Sequence, residues 1–410
     1  MDNRRYYGLD ALRGVMMMLG IVLHGSQFYI ADPPIPVPTD PHTSPLFTVI
    51  VLFIHSFRMP LFFVLAGFFT SLLVEKYGIR GSYVNRLKRI AAPLAVGMVT
   101  IVPLTGWLAI SFFVSVSTGE HVLVTRLAQI EALDLSGLAE YGIRPDPSPV
   151  HLWFLYYLLW FYLTIPICRA VVAWSVRAGL EARLAAAVRS PWLMPFLGLW
   201  TAATLWPFKS AVVFEGFIYF TPHLPSLVYY GSFFVLGYAF HHYREILETF
   251  RMNLGRFALL AAVLFPAALW FSGQDLAARG GDPLLHAGAT VLHGLATWAL
   301  IYTFAGMFLR WFDYDSPWIL YISQSSYWVY LVHMPAVSLV AWALLPMDLS
   351  AYVKFPIVAA CATVMCFTSY HYAARRSWIS VLLNGKRFHL DWPWRAAPPS
   401  ASASPAASST

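Results

Sequence analysis

The chain has 410 residues, of which 59% are hydrophobic and only 11% are charged. The charged share is about half that of an ordinary soluble domain, which excludes a soluble globular protein. The formal net charge of +7 would suit a nucleic-acid partner, but the basic residues lie between long apolar runs. We therefore interpret these residues as marking one side of a membrane, and we expect no nucleic-acid partner.

Ten apolar runs follow one another along the chain. A hydrocarbon core about 30 Å thick needs roughly 20 apolar residues per helix, and a helix satisfies its own backbone hydrogen bonds in lipid. We therefore predict an all-α fold, a polytopic membrane helical bundle of about ten transmembrane helices. The predicted spans cover residues 14–30, 46–74, 91–116, 151–173, 191–208, 225–242, 257–272, 285–309, 318–345 and 354–374.

The charges in the loops predict the orientation of this bundle. With the spans above, 21 of the 27 lysine and arginine residues fall on one side of the membrane. That side should be cytoplasmic, together with both termini. We predict one membrane domain over residues 1–388 and a cytoplasmic tail over residues 389–410. From residue 396 the tail contains only Ala, Pro, Ser and Thr, a composition that cannot form a core, so we predict disorder there.

The first span contains two ionisable residues at a notable spacing. Arg13 is followed by ten residues and then by His24, inside the apolar run from Gly14 to Ile30. A rise of 1.5 Å per residue places His24 about 16 Å beyond Arg13, near mid-membrane if Arg13 lies at the cytoplasmic surface. An ionisable residue at this depth is costly and indicates function. Two structural alternatives remain open: His24 could be satisfied by one neighbouring helix, and Asp10 with Arg13 could form only an interfacial ion pair.

The second span brings His55, Arg58 and Pro60 close together. Arg58 lies roughly 25 Å of helix from Glu75, too far to reach the inner surface, so it needs water, an anion or a cavity lined by carbonyls. Pro60 frees a backbone carbonyl and Gly67 permits a close neighbour, so this helix can form a cavity wall. The structural alternative is that Arg58 bridges backbone carbonyls.

Arg86 and Arg89 follow the second span in a predicted inward loop. Their spacing puts both side chains on one helical face, where two guanidinium groups could bind phosphates at the cytoplasmic mouth. Plain positive-inside anchoring is the alternative, and it is favoured when this motif is taken alone. The chain has no Gly-rich phosphate loop.

Two later spans carry further candidates. His151 and Trp153 open the fourth span at the predicted outer surface, and Tyr330 and His333 recur with Tyr327 at every third residue of the ninth. These groups could contact substrate hydroxyls or line one polar seam. The alternatives are an interfacial aromatic belt and a helix-packing network. No metal-ligand spacing is present, and we expect no metal.

Taken in order, these motifs resemble the acyltransferase 3 membrane family. The likeness covers residues 4 to about 388 and rests on five motifs: Arg13-x10-His24, His55-x-Phe57-Arg58-Met59, Arg86-x-x-Arg89 with Pro93, His151-Leu-Trp-Phe-Leu and Tyr330-Leu-Val-His333. It implies a multi-pass protein of a bacterial inner membrane that moves an acyl group from cytoplasmic acyl-coenzyme A to an extracytoplasmic glycan. Within the family the chain looks most like members that succinylate osmoregulated periplasmic glucans, which implies succinyl-coenzyme A as donor.

The resemblance also implies roles for individual residues. The histidine of the family's Arg-x10-His motif is regarded as catalytic and corresponds to His24. The family's Arg-x-x-Arg pair corresponds to Arg86 and Arg89, for which coenzyme A phosphates are a reasonable ligand. We expect His24 to act as general base on the sugar hydroxyl, with Arg13 and Arg58 as further catalytic candidates. The remaining candidates are predicted to contact substrate: Asp10, His55, His151, Trp153, Tyr330 and His333.

Several alternatives stay open at this point. An acyl-histidine intermediate competes with direct attack. A transporter of an anionic solute would also carry intramembrane His and Arg residues. Another member of the same family could acetylate lipopolysaccharide, another envelope polysaccharide or a lipid. The oligomeric state is open, and a homo-oligomer is compatible with the sequence.

Overall fold

A computed structural model describes residues 5–31, 33, 38–125, 148–213, 219–278, 280–388 and 392–393. These residues form α-helices joined by short turns, and none of them belongs to an extended strand. The predicted tail lies outside the described residues except for Trp392 and Pro393. The helices are α1 Tyr7–Ser26, α2 Pro45–Arg86, α3 Ala92–Val99, α4 Ile101–Thr118, α5 Trp153–Tyr162, α6 Ile165–Arg177, α7 Glu181–Arg189, α8 Leu193–Leu205, α9 Leu224–His242, α10 Glu245–Met252, α11 Leu254–Ala278, α12 Pro283–Trp311, α13 Pro317–Leu344, α14 Ala351–Ser369 and α15 Trp378–Asn384.

Every one of the ten predicted spans is mainly helical. In the described part of the chain, seven helices are long and apolar enough to cross a membrane. The number becomes eight if α5 and α6, which meet at a bend of 51°, are counted as one span. The protein is therefore a helical, multi-pass membrane protein. Ten spans and cytoplasmic termini stay predictions, because α8 is shorter than a span and α9 is less apolar than the seven.

The boundaries of α1 and α2 differ from their predicted spans. Helix α1 begins at Tyr7 rather than at residue 14, because Asp10 is ion-paired with Arg13 at 3.1 Å and with Arg5 at 2.9 Å. Pairing lowers the cost of keeping these charges in the helix. Helix α2 continues well beyond residue 74 and is kinked at Gly78, whose φ of 69° lies in the left-handed region.

Helix α1 lies in the middle of the bundle, in contact with α2, α12, α13 and α14. Beside it, α2 and α9 approach closely at two glycines. A Cβ atom at Gly67 would meet the carbonyl of Phe234, and one at Gly237 would meet the carbonyl of Val64. Small residues allow helix backbones to approach this closely in membranes. The prediction that Gly67 admits a close neighbour is confirmed.

The two ends of the bundle differ in charge. We call one of them the basic end; it carries Arg5, Arg13, Arg86, Arg89 and Lys386. The opposite end has one buried ion pair and one buried histidine–aspartate hydrogen bond. Lys354 Nζ donates to Asp40 Oδ2 at 2.7 Å, and His286 Nδ1 donates to Asp275 Oδ1 at 2.9 Å. These pairs attach loops to helices, because Asp40 lies between α1 and α2, and Asp275 also accepts from the backbone N–H of Ala211 at 2.8 Å.

Candidate active site

Three histidines from distant parts of the chain converge inside the bundle. His24 lies in the last turn of α1, His151 lies in a 3-10 turn ahead of α5, and His333 lies in the middle of α13. The ring centroid of His333 is 5.2 Å from that of His24 and 5.4 Å from that of His151. We call these residues the histidine cluster. It brings together three of the sequence motifs, although each lies more than a hundred residues from the next along the chain.

Each ring of the histidine cluster is fixed through one of its two nitrogens. His333 Nδ1 donates to the carbonyl of Tyr330 at 2.7 Å, and His151 Nε2 donates to the carbonyl of Leu331 at 3.0 Å. His24 Nδ1 donates to Gln27 Oε1 at 2.8 Å. A neutral imidazole that donates through one nitrogen keeps a lone pair on the other. His333 Nε2 and His151 Nδ1 are buried and have no hydrogen-bond partner among the described residues, so both can accept a proton.

Arg58 brings a positive charge to this cluster. Its side chain is buried, and its Nε donates to the carbonyl of Met16 at 2.8 Å. A Cβ atom built at Gly20 would lie 2.7 Å from Arg58 Nη2 and 3.1 Å from His333 Nε2. No carboxylate in the described part of the chain pairs with Arg58. The guanidinium is therefore held by a backbone carbonyl, as the structural alternative proposed, while Nη2 lies at the cluster, where an anion would stabilise it.

A cavity of about 320 Å³ leads from the basic end toward the cluster. We call it the basic cavity; its cationic lining residues are Arg5, Arg13, Arg86, Arg89 and Lys386. At its inner end lie Met17 and Tyr330, and the Tyr330 hydroxyl donates to the carbonyl of His151 at 2.7 Å. One aromatic side chain therefore joins the cavity to the histidine cluster.

Arg86 and Arg89 reach the same cavity by a local change of helix type. Helix α2 ends at Arg86 and continues as a π-helical turn over Leu87–Ala91, so the regular helical face that the spacing predicted is interrupted. Arg86 Nη2 donates to Thr70 Oγ1 at 3.3 Å, and Arg89 Nη2 donates to the carbonyl of Asn384 at 3.1 Å. Both guanidinium groups are thus held in place beside open space.

Three other candidates make contacts away from the cluster. His55 Nε2 donates to the carbonyl of Val213 at 3.0 Å. Trp153 is buried, with its ring centroid 5.1 Å from that of Tyr230. Asp10 forms the ion pairs described above, so the proposed interfacial pair with Arg13 exists. The contacts of these three residues are structural, and a role in substrate binding stays a prediction for each.

Sequence reasoning missed several residues of the site. Gln27 orients His24 from three positions along the chain, a spacing that could have indicated the contact. Gly20 faces Arg58 and His333 only because α13 packs on α1, and no local signal shows this. Arg5 and Lys386 line the basic cavity from opposite ends of the chain. Among the described residues, no three His, Cys, Asp or Glu side chains are placed to hold a metal.

Comparison with known proteins identifies a protein family whose model matches most of the chain. The family model described as an acyltransferase domain, Acyl_transf_3, matches residues 6–375. The chain is also 25% identical over 346 residues to proteins named Glucans biosynthesis protein C, with 81% of this chain and 82% of each relative covered. Those relatives include proteins from Escherichia coli strain SMS-3-5, Escherichia coli O139:H28 strain E24377A and Shigella dysenteriae serotype 1 strain Sd197. No solved structure matches the chain.

Proposed function

Because the chain belongs to the acyltransferase 3 family, we propose that this membrane acyltransferase moves a succinyl group from cytoplasmic acyl-coenzyme A to hydroxyls of periplasmic glucans. The proposal rests on one observation. The histidine cluster and Arg58 lie together near the inner end of the basic cavity, which is lined by five cationic side chains. The cations suit the phosphates of the donor, and the cluster suits proton transfer.

The reaction needs one base and one stabiliser of negative charge. The hydroxyl oxygen attacks the thioester carbonyl, and His24 takes the hydroxyl proton on the nitrogen that does not donate to Gln27. The carbon–sulfur bond then breaks, and the same imidazolium returns the proton to the leaving thiolate, so protons and charge balance. Positioned proton transfer of this kind contributes about 10² to 10⁴-fold. The free Nη groups of Arg58 are suited to the oxyanion that forms on the carbonyl oxygen.

The donor enters through the basic cavity in this proposal. With the basic end in the cytoplasm, Arg86 and Arg89 face the compartment that contains acyl-coenzyme A. The thioester then reaches the cluster past Tyr330. Arg58 has a second use in this arrangement, because its guanidinium could hold the terminal carboxylate of a succinyl group.

The acceptor is inferred from the relatives. Proteins named Glucans biosynthesis protein C cover most of this chain, which supports a glucan acceptor. We propose that this acceptor lies on the periplasmic side of the bacterial inner membrane. His24 suits this acceptor because it lies in the last turn of α1, at the end that faces away from Arg13.

The test in cells uses a strain that lacks this protein, complemented with wild type or with His24→Ala at matched membrane abundance. We expect mass spectrometry of the periplasmic glucans to show the succinyl increment with wild type and not with His24→Ala. His242→Ala, a change at a partly exposed histidine far along the chain, is the matched control and should restore the increment. Glucans that wild type leaves unchanged would refute this acceptor.

A second test separates catalysis from transport. Purified protein in detergent has no gradient across it, so acyl transfer from acyl-coenzyme A to added glucan under these conditions contradicts a transporter. Radiolabelled acyl groups that stay on the protein when no acceptor is present would overturn direct attack in favour of an acyl-histidine intermediate.

A further inference from the structure

A second cavity, of about 360 Å³, adjoins the basic cavity. We call it the aromatic cavity; its charged and aromatic lining residues are Tyr321, Arg375, Lys386, Arg387, Phe388 and Trp392. None of the described residues that line it is acidic. Its lining comes from the start of α13, the end of the π-helical turn after α14 and the segment that follows α15.

Arg375 is the unusual residue of this cavity. Its Nε and Nη1 atoms are buried and have no hydrogen-bond partner among the described residues. Its guanidinium carbon lies 4.8 Å from the ring centroid of Tyr321 and 6.0 Å from that of Phe388. A buried donor without an acceptor is destabilising, and a guanidinium is the side chain best matched to a phosphate. The geometry therefore points to an anionic ligand at Arg375.

The surrounding rings add a second kind of recognition. The Trp392 ring stacks on His371 at 3.6 Å, and its centroid lies 6.1 Å from that of Tyr321. Phe388 is held beside them by its backbone N–H, which donates to the carbonyl of Arg375 at 3.2 Å. Flat aromatic walls next to a guanidinium suit a ligand that carries both an aromatic base and a phosphate.

The two cavities are arranged for one elongated ligand. Gln324, Lys386 and Phe388 line both of them. Coenzyme A has an adenosine 3′-phosphate at one end, a diphosphate in the middle and the thioester arm at the other end. The thioester must lie near Tyr330, where the basic cavity meets the histidine cluster. The nucleotide must then lie at the far side of the basic cavity, where the aromatic cavity begins.

We propose that the aromatic cavity binds the 3′-phosphoadenosine head of the acyl-coenzyme A donor, with Arg375 on the 3′-phosphate. Lys386, between the two cavities, then contacts the diphosphate. This inference rests on the proposed function, because it assigns a place to part of the donor named there. It adds a specificity for the 3′-phosphate that the histidine cluster alone would not give.

The test compares two donors in the purified acyltransferase: acyl-coenzyme A and acyl-3′-dephospho-coenzyme A, which lacks only the 3′-phosphate. Wild type should show a KM at least about tenfold higher for the dephospho donor, the loss expected from one charge-assisted interaction. Arg375→Met should raise the KM for acyl-coenzyme A to the same value and leave the KM for the dephospho donor unchanged. kcat should stay the same throughout.

The matched control is Arg376→Met, which removes an exposed arginine that does not line the aromatic cavity. It should keep the wild-type preference for the 3′-phosphate. An unchanged KM of Arg375→Met for the dephospho donor shows that the variant is folded. Equal KM values for both donors in wild type, or a preference that survives in Arg375→Met, would overturn the inference while the proposed function stands. Absence of transfer from both donors would instead refute the proposed function.

Discussion

At the scale of single residues, the geometry of the candidate site depends on Gly20, a position with no room for a side chain. A Cβ atom at Gly20 would lie 2.7 Å from Arg58 Nη2, so Gly20→Ala must displace the guanidinium or His333. We expect kcat for acyl transfer to fall at least about tenfold, because small misplacements of catalytic groups cost this much or more. The measurement is the steady-state rate of purified protein.

Gly25→Ala is the matched control for this change. It lies on the same helix, and its Cβ would meet its nearest neighbour, the Phe355 ring, at 3.5 Å, an ordinary contact. Both substitutions gain the same helix propensity, up to about 1 kcal/mol. The activity of Gly25→Ala should stay within about twofold of wild type, which corresponds to a change of less than about 0.5 kcal/mol in the activation free energy. Full activity in Gly20→Ala would show that Arg58 and His333 need no fixed position.

Arg58 allows a prediction about charge and geometry. Arg58→Lys keeps the positive charge but cannot hold the Met16 carbonyl through Nε while it presents two further nitrogens to the cluster. We expect kcat to fall at least about tenfold, because the oxyanion loses part of its stabilisation. Arg310→Lys, an exposed arginine at the end of α12, should behave like wild type. A fully active Arg58→Lys would mean that charge alone suffices.

The residue patterns show how far sequence reasoning reaches at this scale. A buried arginine and a histidine inside apolar runs are visible without a structure, because such residues are costly in lipid. Arg375 is also visible in the sequence, but its position after the last predicted span indicates only that it is one of the basic residues on the predicted cytoplasmic side. The burial of its Nε and Nη1 atoms, and their lack of acceptors among the described residues, depend on how Phe388 packs against it, and no spacing rule describes that.

At the scale of elements, a buried ion pair attaches the loop between α1 and α2 to the bundle. Asp40 and Lys354 are both almost completely buried, at 2.7 Å from each other. Asp40→Asn leaves the Lys354 ammonium without a countercharge, a loss of about 3–5 kcal/mol for a buried pair. We expect the melting temperature in detergent to fall clearly, as measured by a thermal unfolding assay.

Asp348→Asn is the control, since the Asp348 side chain is 96% exposed although it lies 3.0 Å from His42. An exposed ion pair contributes about 0–1 kcal/mol to the free energy of unfolding. The melting temperature of Asp348→Asn should therefore hardly change. The double variant Asp40→Asn with Lys354→Met should recover part of the lost stability, because no buried charge is left unpaired. Equal melting temperatures for both single variants would contradict this account.

Helix positions were easier to predict than helix ends. Ten apolar runs gave ten helical segments, since apolar length is the signal for a helix in lipid. The observed helix ends differ from the predicted ones where tertiary contacts override composition. Helix α1 extends to Tyr7, where Asp10 forms its ion pairs, and the fourth predicted span bends between α5 and α6. These are properties of the packed bundle, which a hydropathy window does not contain.

At the scale of the whole molecule, every functional inference depends on which way the bundle faces. The basic cavity, the aromatic cavity and the positive-inside count all support the proposal that the donor binds at the basic end. In the proposed function that end faces the cytoplasm, because acyl-coenzyme A is made and kept there, while His24 lies toward the opposite end of α1. The charge bias of loops predicts this orientation.

Labelling of single cysteines tests the orientation. The background variant has Cys168, Cys361 and Cys366 changed to Ser, and these changes break no disulfide because all three are free thiols. One cysteine is then introduced in place of the exposed Asp348 or the exposed Arg376. A membrane-impermeant maleimide added to intact spheroplasts should label Asp348→Cys at once and Arg376→Cys only after the membrane is opened. Retained acyl transfer by each variant shows that it is correctly folded. The reverse pattern would put the five cations of the basic cavity in the periplasm, where no acyl-coenzyme A reaches them, and both the proposed donor and its nucleotide site would fall together.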